Sequence, residues 1–348
     1  MGVLTSRKTT DSLNQKRYEH FIQLHDALQK QGGLLLVFSP ENMYNTCVKG
    51  KIYDSTNGKW IDVLTPLPDV LYNRFPGRRQ ERKGHCKNVL KRCQRESIPL
   101  FNPHFFSKWC LHQLFSQHTL LKKHLPYTIR YESKQSIEKM LEHHSFVYVK
   151  PSEGSKGKGI YRLKKIAEEQ LLAETIKQSQ LYQNIEEFLN SSLLDENWLV
   201  QQGIDSDCIN GKRYDLRIIV VRGQGDYHIS GIGIRQSGIQ NVTTHVPSGG
   251  MIVPFSHVSQ RLNIPLIRLI ASACGHQLET AYGLIGEFSM DMVKSADGHY
   301  YILEINAKPM IFDEAEIQQE RLMNLCSLFY QLTKFPSPSI TTNNHMIN

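Results

Sequence analysis

Short apolar runs alternate with helical periodicity from the start of the chain. Gly2-Val3-Leu4-Thr5 and Leu34-Leu35-Leu36-Val37-Phe38 read as buried strands. Between them Tyr18, Phe21, Ile22, Leu24 and Leu28 recur at the spacing of one helix face. Strand, helix and strand in that order predict a parallel α/β unit. Val70-Leu71-Tyr72-Asn73-Arg74 predicts a further strand that ends in a polar, functional-looking turn, and this first domain is expected to close near Pro103. Lys108 to Leu121 reads as a helix stopped by Pro126, and Phe146 to Lys150 as a β-rich run broken by Pro151 and a glycine-rich segment. Residues 166–194 read as helical, with Leu171, Leu172, Ile176, Leu181, Ile185, Phe188 and Leu189 on the apolar side. Trp198 to Ile204 returns to strand. Asp215 to Arg222 and Tyr227 to Arg235 predict a hairpin around Gly223-Gln224-Gly225-Asp226, followed by a helix over about 262–281 and a last hairpin over 286–306. The segment 336–348, rich in Pro, Ser, Thr and Asn, is expected to be disordered.

The pattern thus predicts mixed α+β and α/β architecture, with domains over 1–103 and 104–335. A chain of 348 residues is long enough for two or three subdomains, and 40% hydrophobic with 21% charged residues is ordinary globular composition. No apolar run approaches the roughly 18 residues of a membrane span, and no apolar signal segment follows Met1. Met1 to Ser6 fits the loose N-myristoylation pattern but reads equally well as the first strand. Seven scattered cysteines without a CxxC pair argue against zinc and a disulfide framework, so a cytoplasmic setting without a membrane partner is expected. The formal charge of +8 suits an anionic partner, and much of it accumulates between Arg74 and Arg95. That stretch reads either as a solvated helix face or as a site for a polyanionic substrate. It lacks the interleaved aromatics of a nucleic-acid binder, so no nucleic-acid partner is expected.

The most informative chemistry lies in Glu287 to Val293 and Tyr300 to Asn306. Asp297-Gly298 favours a two-residue hairpin loop. That loop would set Ala296 across from His299 and Asp291 directly opposite Glu304, with Asn306 on the same face. Opposed like charges destabilise a strand pair unless something positive sits between them. Two carboxylates and an amide suit a hard cation such as Mg²⁺, with Mn²⁺ as the alternative. A surface hairpin with two exposed acids is the competing reading.

Lys150-Pro151-Ser152-Glu153-Gly154-Ser155-Lys156-Gly157-Lys158-Gly159 follows a strand, and its glycines would let backbone N–H groups approach a phosphate. It is not a Walker A loop, which would need Gly at Ser152 and Ser or Thr at Gly159. Nor is it the dinucleotide fingerprint, because no helix opens after it.

An apolar strand ending in Lys, then Pro and a Gly/Ser loop, resembles the phosphate-covering lid of the ATP-grasp superfamily, in which two α+β lobes clamp ATP. The resemblance implies an ATP-grasp fold behind an N-terminal α/β domain, with a lid subdomain over about 126–197. It further implies that Lys108 and Lys150 reach the phosphates, together with Ser152, Gly154, Ser155, Gly157 and Gly159 of the loop. Gln201, Gln202 and Ile204 match the hinge whose backbone reads the adenine edge, and Asp291, Glu304 and Asn306 match the metal-binding end. Within the superfamily the chain resembles the YheC/YheD family through Val37-Phe38-Ser39-Pro40, Tyr72-Asn73-Arg74, Leu125-Pro126-Tyr127-Thr128, Val149-Lys150-Pro151, Tyr214-Asp215-Leu216-Arg217, Gly249-Gly250 and Glu287 to Pro309. Members of that family are endospore-coat-associated, which implies a spore-forming Gram-positive source and spore-coat proteins as partners.

Related ligases place arginines like Arg217 and Arg235 against the transferred phosphate; a surface cross-strand salt bridge, for example with Asp215, is the alternative. Ser248-Gly249-Gly250 with His245 is a candidate substrate loop, and His245 is left without a role. The implied activity is ATP-dependent carboxylate–amine ligation through an acyl phosphate, acting on a carboxylate and amine pair that includes acidic peptides or polymers. A non-catalytic scaffold in spore-coat assembly is the second reading.

Overall fold

Three six-stranded sheets carry the chain in the computed structural model, which describes residues 1–15, 18–154, 159–238, 242–333 and 335. The first sheet contains β1 (Gly2–Leu4), β2 (Leu36–Phe38), β3 (Cys47–Asp54), β4 (Lys59–Pro66), β5 (Leu71–Asn73) and β6 (Leu100–Phe101), in the order β4-β3-β2-β1-β5-β6. β1 runs parallel to both β2 and β5, as the strand–helix–strand pattern predicts. Alternation sends Val3 and Val37 to one face and Leu4, Leu36 and Phe38 to the other. Helix Glu19–Gln29 covers the first face with Phe21, Leu24 and Leu28; helix Gly84–Arg95 covers the second with Cys86, Val89 and Cys93. The β3–β4 hairpin carries no expectation from the sequence pattern, because the apolar residues of β4 are largely solvent-facing, Ile61 and Leu64 among them.

The second sheet is wholly antiparallel. It contains β7 (Thr128–Arg130), β8 (Val147–Pro151), β9 (Tyr161–Ala167), β10 (Gln170–Glu174), β11 (Ser179–Tyr182) and β12 (Trp198–Gln202), in the order β11-β10-β9-β8-β12-β7. Residues 166–194 are therefore not one helix: two strands occupy the middle of the segment and the only helical part is Ile185–Ser191. Leu171 and Ala173 point into the core at period two, while Leu181, counted on the apolar face of a helix, is 54% exposed. The Thr175 hydroxyl accepts from the N–H groups of Lys177 and Gln178, a local bond that favours a turn over continued helix. The expected helix from Lys108 also ends sooner, at Ser116, with a separate single turn at Leu121–His124.

The third sheet contains β13 (Cys208–Ile209), β14 (Lys212–Arg222), β15 (Tyr227–Gln236), β16 (Met251–Val253), β17 (Glu287–Lys294) and β18 (Tyr300–Asn306), ordered β16-β15-β14-β17-β18 with β13 on β14. Helix Ile264–Tyr282 packs Ile267, Ile270, Ala271, Cys274 and Leu278 against Leu216, Ile218, Phe288 and Met290. Helix Ala315–Leu332 lies on the other face, and its Leu325, Cys326 and Phe329 join Ile219 and Val221 to Val3, Val37 and Tyr72 of the first sheet. Among the described residues no helix is long and apolar enough to cross a membrane.

A buried carboxylate fastens these two sheets together. Glu287, 0% exposed at the start of β17, accepts from Arg321 Nη2 and Nε at 2.7 Å each and from the Tyr72 hydroxyl, with Arg74 Nη1 at 3.8 Å. Burial alone would raise its pKa, but Arg321, Arg74 and Tyr72 hold it below the usual carboxylate range. Asn102 completes the joint, accepting from Gly286 N at 2.8 Å and donating to Glu287 O at 2.8 Å.

The Tyr72-Asn73-Arg74 turn is likewise engaged in packing. Asn73 donates to Glu81 Oε1 at 2.7 Å and to Pro103 O at 3.0 Å, and Lys308 Nζ donates to Asn73 Oδ1, Phe75 O and the Glu81 carboxylate. Glu287→Gln should strand the Arg321 charge in the core, so urea unfolding should show a loss of about 3–5 kcal/mol. Unchanged stability would contradict this account of the joint.

Candidate functional site

A cavity of about 170 Å³ opens between the second and third sheets. Its walls include Lys150, Gln201, Gln202 and Ile204 from one side and Asp215, Arg235, Asp291 and Glu304 from the other. A second, smaller space shares Lys150, Gln201 and Glu304 with it and adds Lys108.

Lys150 ends the apolar run of β8 and is 8% exposed. Its Nζ donates to Gln201 Oε1 at 2.7 Å, and the Gln201 amide donates in turn to Thr128 Oγ1 at 2.9 Å. Burial, reinforced by the Lys108 charge and partly opposed by Glu304, brings its pKa down to about 8. Lys108 begins helix Lys108–Ser116, and its Nζ stands 3.1 Å from Glu304 Oε1 and 2.9 Å from Gly154 O.

The glycine-rich loop is tied to the same helix start. Ser152 O accepts from Lys108 N at 3.2 Å, Ser152 Oγ lies 3.2 Å from Ser107 Oγ, and Ser152 N donates to Asn197 O at 2.7 Å. Gly159 adopts φ +72°, a conformation that favours glycine. Ser155 and Gly157, with Lys156 and Lys158, lie outside the described residues.

Asp291 and Glu304 face each other in the β17–β18 register, as expected, but by a different route. The pairs nearest the turn are Lys294 with Tyr300 and Val293 with Tyr301. Ser295 N bonds to His299 O and Gly298 N to Ser295 O, which makes a three-residue loop with Gly298 at φ +92° in place of the two-residue loop. A bulge that leaves Leu303 unpaired then restores Asp291 to Glu304. Asn306 pairs with Ser289 two positions further, on the face of Glu304.

Arg235 bridges two carboxylates. Its Nε and Nη2 reach the two oxygens of Asp215 at 2.9 and 2.7 Å, and Nη2 also lies 3.0 Å from Asp291 Oδ2. Burial opposes the guanidinium charge, yet Asp291 and Asp215 together hold it above its usual range. The cross-strand pair with Asp215 is thus present and bidentate, but buried rather than at the surface. Asp291 Oδ1 is a buried oxygen with no hydrogen-bond partner among the described residues.

Arg217 stands beside Asp291 in register but outside the cavity lining; its guanidinium lies 4.7 Å from the centre of the Phe312 ring and donates to Met310 O at 3.4 Å. Thr244, which sequence reasoning missed, donates to Asp215 Oδ2 at 2.6 Å and lines the cavity with Val242, Thr243 and His245. Gly250 permits this loop its close turn, since a Cβ there would sit 2.0 Å from Thr244 O.

The hinge run divides by backbone. Gln201 sits in mid-sheet between β7 and β8, and Gln202 N donates to Tyr127 O at 2.8 Å. Ile204 lies past the strand end, where its backbone N–H and C=O have no hydrogen-bond partner among the described residues.

A family model described as YheC/D-like ATP-grasp matches residues 97–333. The chain belongs to the YheC/D-like ATP-grasp family. Endospore coat-associated protein YheD of Bacillus subtilis is similar to it at 28% identity over 311 residues, covering 84% of this chain and 67% of that protein. Among solved structures, VanG D-Ala:D-Ser ligase from Enterococcus faecalis aligns with a TM-score of 0.54 at 11% identity, covering 95% of this chain and 98% of the other. The ATP-grasp ligase PsnB, solved with a phosphomimetic variant of its minimal precursor, Mg and ADP, aligns with a TM-score of 0.53 at 11% identity over 96% of this chain and 98% of the other. These likenesses establish the ATP-grasp fold of the family member described here.

Lys150 supplies a titration that checks the site's electrostatics. Its folded pKa near 8 lies below the ordinary lysine value, so between the two the unfolded chain binds more protons. Stability relative to Lys150→Met should therefore rise with pH across that window, by about 1 kcal/mol or more from pH 7.5 to 9.5. Thermal or urea unfolding of both proteins measures it, and parallel pH profiles would contradict the buried, charge-strained lysine.

Proposed function

We propose that the protein binds ATP with Mg²⁺ in the cleft between the second and third sheets and uses it for carboxylate–amine ligation. The observation that carries this reading is the pair of opposed acids, Asp291 and Glu304, each met by a cation from elsewhere in the fold, Arg235 and Lys108. A triphosphate needs such cations, and the acids need a positive partner once the cations turn to phosphate.

The donor set fits a hard divalent cation. Asp291, Glu304 and Asn306 offer only oxygen from carboxylate and amide, and the buried Asp291 Oδ1 is a lone-pair site without a donor among the described residues. Those three residues would hold Mg²⁺, or Mn²⁺ in its place, whose contribution is neutralisation of phosphate charge. Lys150 and Lys108 contact the phosphates, with Ser152, Gly154 and Gly159 beside them. Ile204, following Gln201 and Gln202, carries the backbone contact to the adenine edge.

Arg235 stabilises the phosphoryl group as it passes to a carboxylate, with Arg217 beside it. An amine then displaces phosphate from the acyl phosphate, which requires positioning and charge compensation rather than a protein nucleophile. The ligase names of VanG and PsnB support this class of reaction. Residues 1–103 act in this reading as an α/β unit that precedes the ATP-grasp part. The endospore-coat association in the name of the relative YheD favours a second reading, a nucleotide-binding scaffold of the spore coat without turnover.

Mg-ATP at a hundredfold excess over Kd should stabilise the fold by about 3 kcal/mol, read as a higher unfolding midpoint that EDTA reduces. Glu304→Ala should fold but lose ATP turnover measured against a panel of amino acids and acidic peptides. No midpoint rise in the wild type would refute nucleotide binding, and a stabilised wild type without turnover on any acceptor would favour the scaffold.

A further inference from the structure

The helix Gly84–Arg95 presents two unlike faces. Cys86, Val89 and Cys93 are buried against the first sheet, whereas Lys87, Lys91 and Arg95 project outward at four-residue intervals, continuing from Lys83 at its N-cap. Like charges four apart on a helix destabilise it, and the helix dipole disfavours cations in the first turn, where no acid is present. The single acid between Arg74 and Arg95 is Glu81, which is buried and engaged by Lys308 and Asn73. Arg92 and Arg95 share Glu96, and Arg82 meets Glu153 at 3.4 Å. Arg79, Lys83, Lys87 and Lys91 make no ion pair among the described residues.

This basic face leads to the cleft through a chain of contacts. Arg82 touches Glu153 of the glycine-rich loop, the adjacent Gly154 carbonyl holds Lys108, and Lys108 pairs with Glu304. Arg78, one turn before the helix, donates to Phe106 O at 2.7 Å, two residues from Lys108.

We infer that the carboxylate substrate is an acidic peptide, docked in extended form along Lys83, Lys87 and Lys91 and led past Arg82 and Arg78 to the cleft. This rests on the ligase reading and names the substrate class for it. Cations four helix positions apart are separated by about 6 Å along the axis. Same-side residues of an extended peptide repeat every 6.6–6.8 Å or so, which brings one carboxylate to each lysine. Between Arg78 and Arg95 the outward face carries no Phe, Tyr or Trp and a single imidazole, His85, so it lacks the run of stacking rings that single-stranded nucleic acid uses.

The test uses the full chain and a fluorescein-labelled peptide of alternating Glu and Ser, with binding read by anisotropy at two salt concentrations. The wild type should bind it in a salt-sensitive manner. Lys87→Ser/Lys91→Ser should bind it tenfold or more weakly while its midpoint shift with Mg-ATP stays that of the wild type. Equal peptide affinity in the double variant would overturn the docking face. No peptide binding beside an intact Mg-ATP shift would overturn the docking face while the ligase reading stands. Tighter binding of a single-stranded oligonucleotide of equal charge would overturn it in favour of nucleic acid. Peptide binding with no Mg-ATP response would remove the ligase reading and with it the peptide's assignment as substrate.

Discussion

Two carboxylates forced to face each other govern this molecule. Asp291 and Glu304 are register partners in β17 and β18, where like charges repel at strand-pair distance. Their repulsion is answered from separate parts of the fold. Arg235 comes from β15 and is oriented by a bidentate bond to Asp215; Lys108 comes from the first turn of the helix that follows the first sheet. The same strand that carries Asp291 begins at Glu287, whose buried pair with Arg321 and bond to Tyr72 anchor it to the N-terminal sheet. The first residue of β17 is thus locked in the core and its middle supplies charge to a cleft.

The two lysines of the cleft are not equivalent. Lys108 rests on a carboxylate and a carbonyl, both acceptors suited to a full charge. Lys150 has the neutral amide of Gln201 as its closest partner, is largely desolvated, and feels Lys108 as a repelling neighbour. An incoming polyphosphate would relieve the strain on Lys150 more than that on Lys108. Gln201, fixed by Thr128, holds the Lys150 ammonium at the cleft wall.

The sequence exposed the chemistry more readily than the geometry. Alternation and the Asp297-Gly298 dipeptide were enough to set Asp291 opposite Glu304, although two departures cancel on the way: a longer loop shifts the register by one and the bulge at Leu303 shifts it back. In the neighbouring hairpin nothing cancels. The bulge that leaves Ser230 unpaired displaces β15 by one residue and brings Arg235 opposite Asp215, which counting from the Gly223–Asp226 loop would not reveal. The segment 166–194 misled because its leucines satisfy a helical spacing as well as an alternating one, and the turn made by Thr175 is a side-chain effect that periodicity does not register. Tyr72-Asn73-Arg74 looked functional for its polarity, yet its polar atoms are engaged by Glu81, Lys308, Glu287 and Pro309. Buried ion pairs of this kind join residues more than two hundred positions apart, a separation no local pattern can disclose.

Electron spin resonance of Mn²⁺ tests the role of the opposed acids most directly. Free Mn²⁺ gives a sharp signal that binding to protein or to free ATP broadens, so titrations with protein alone, ATP alone and both together separate metal held by the bare site, by free nucleotide and by protein with nucleotide. The account predicts that the wild type takes up Mn²⁺ far more tightly with ATP than without it. Asp291→Asn should lose most of that uptake while retaining the wild-type fold. Equal Mn²⁺ uptake by Asp291→Asn, or none by the wild type with ATP present, would contradict the claim that this pair of acids exists to hold a metal against a nucleotide.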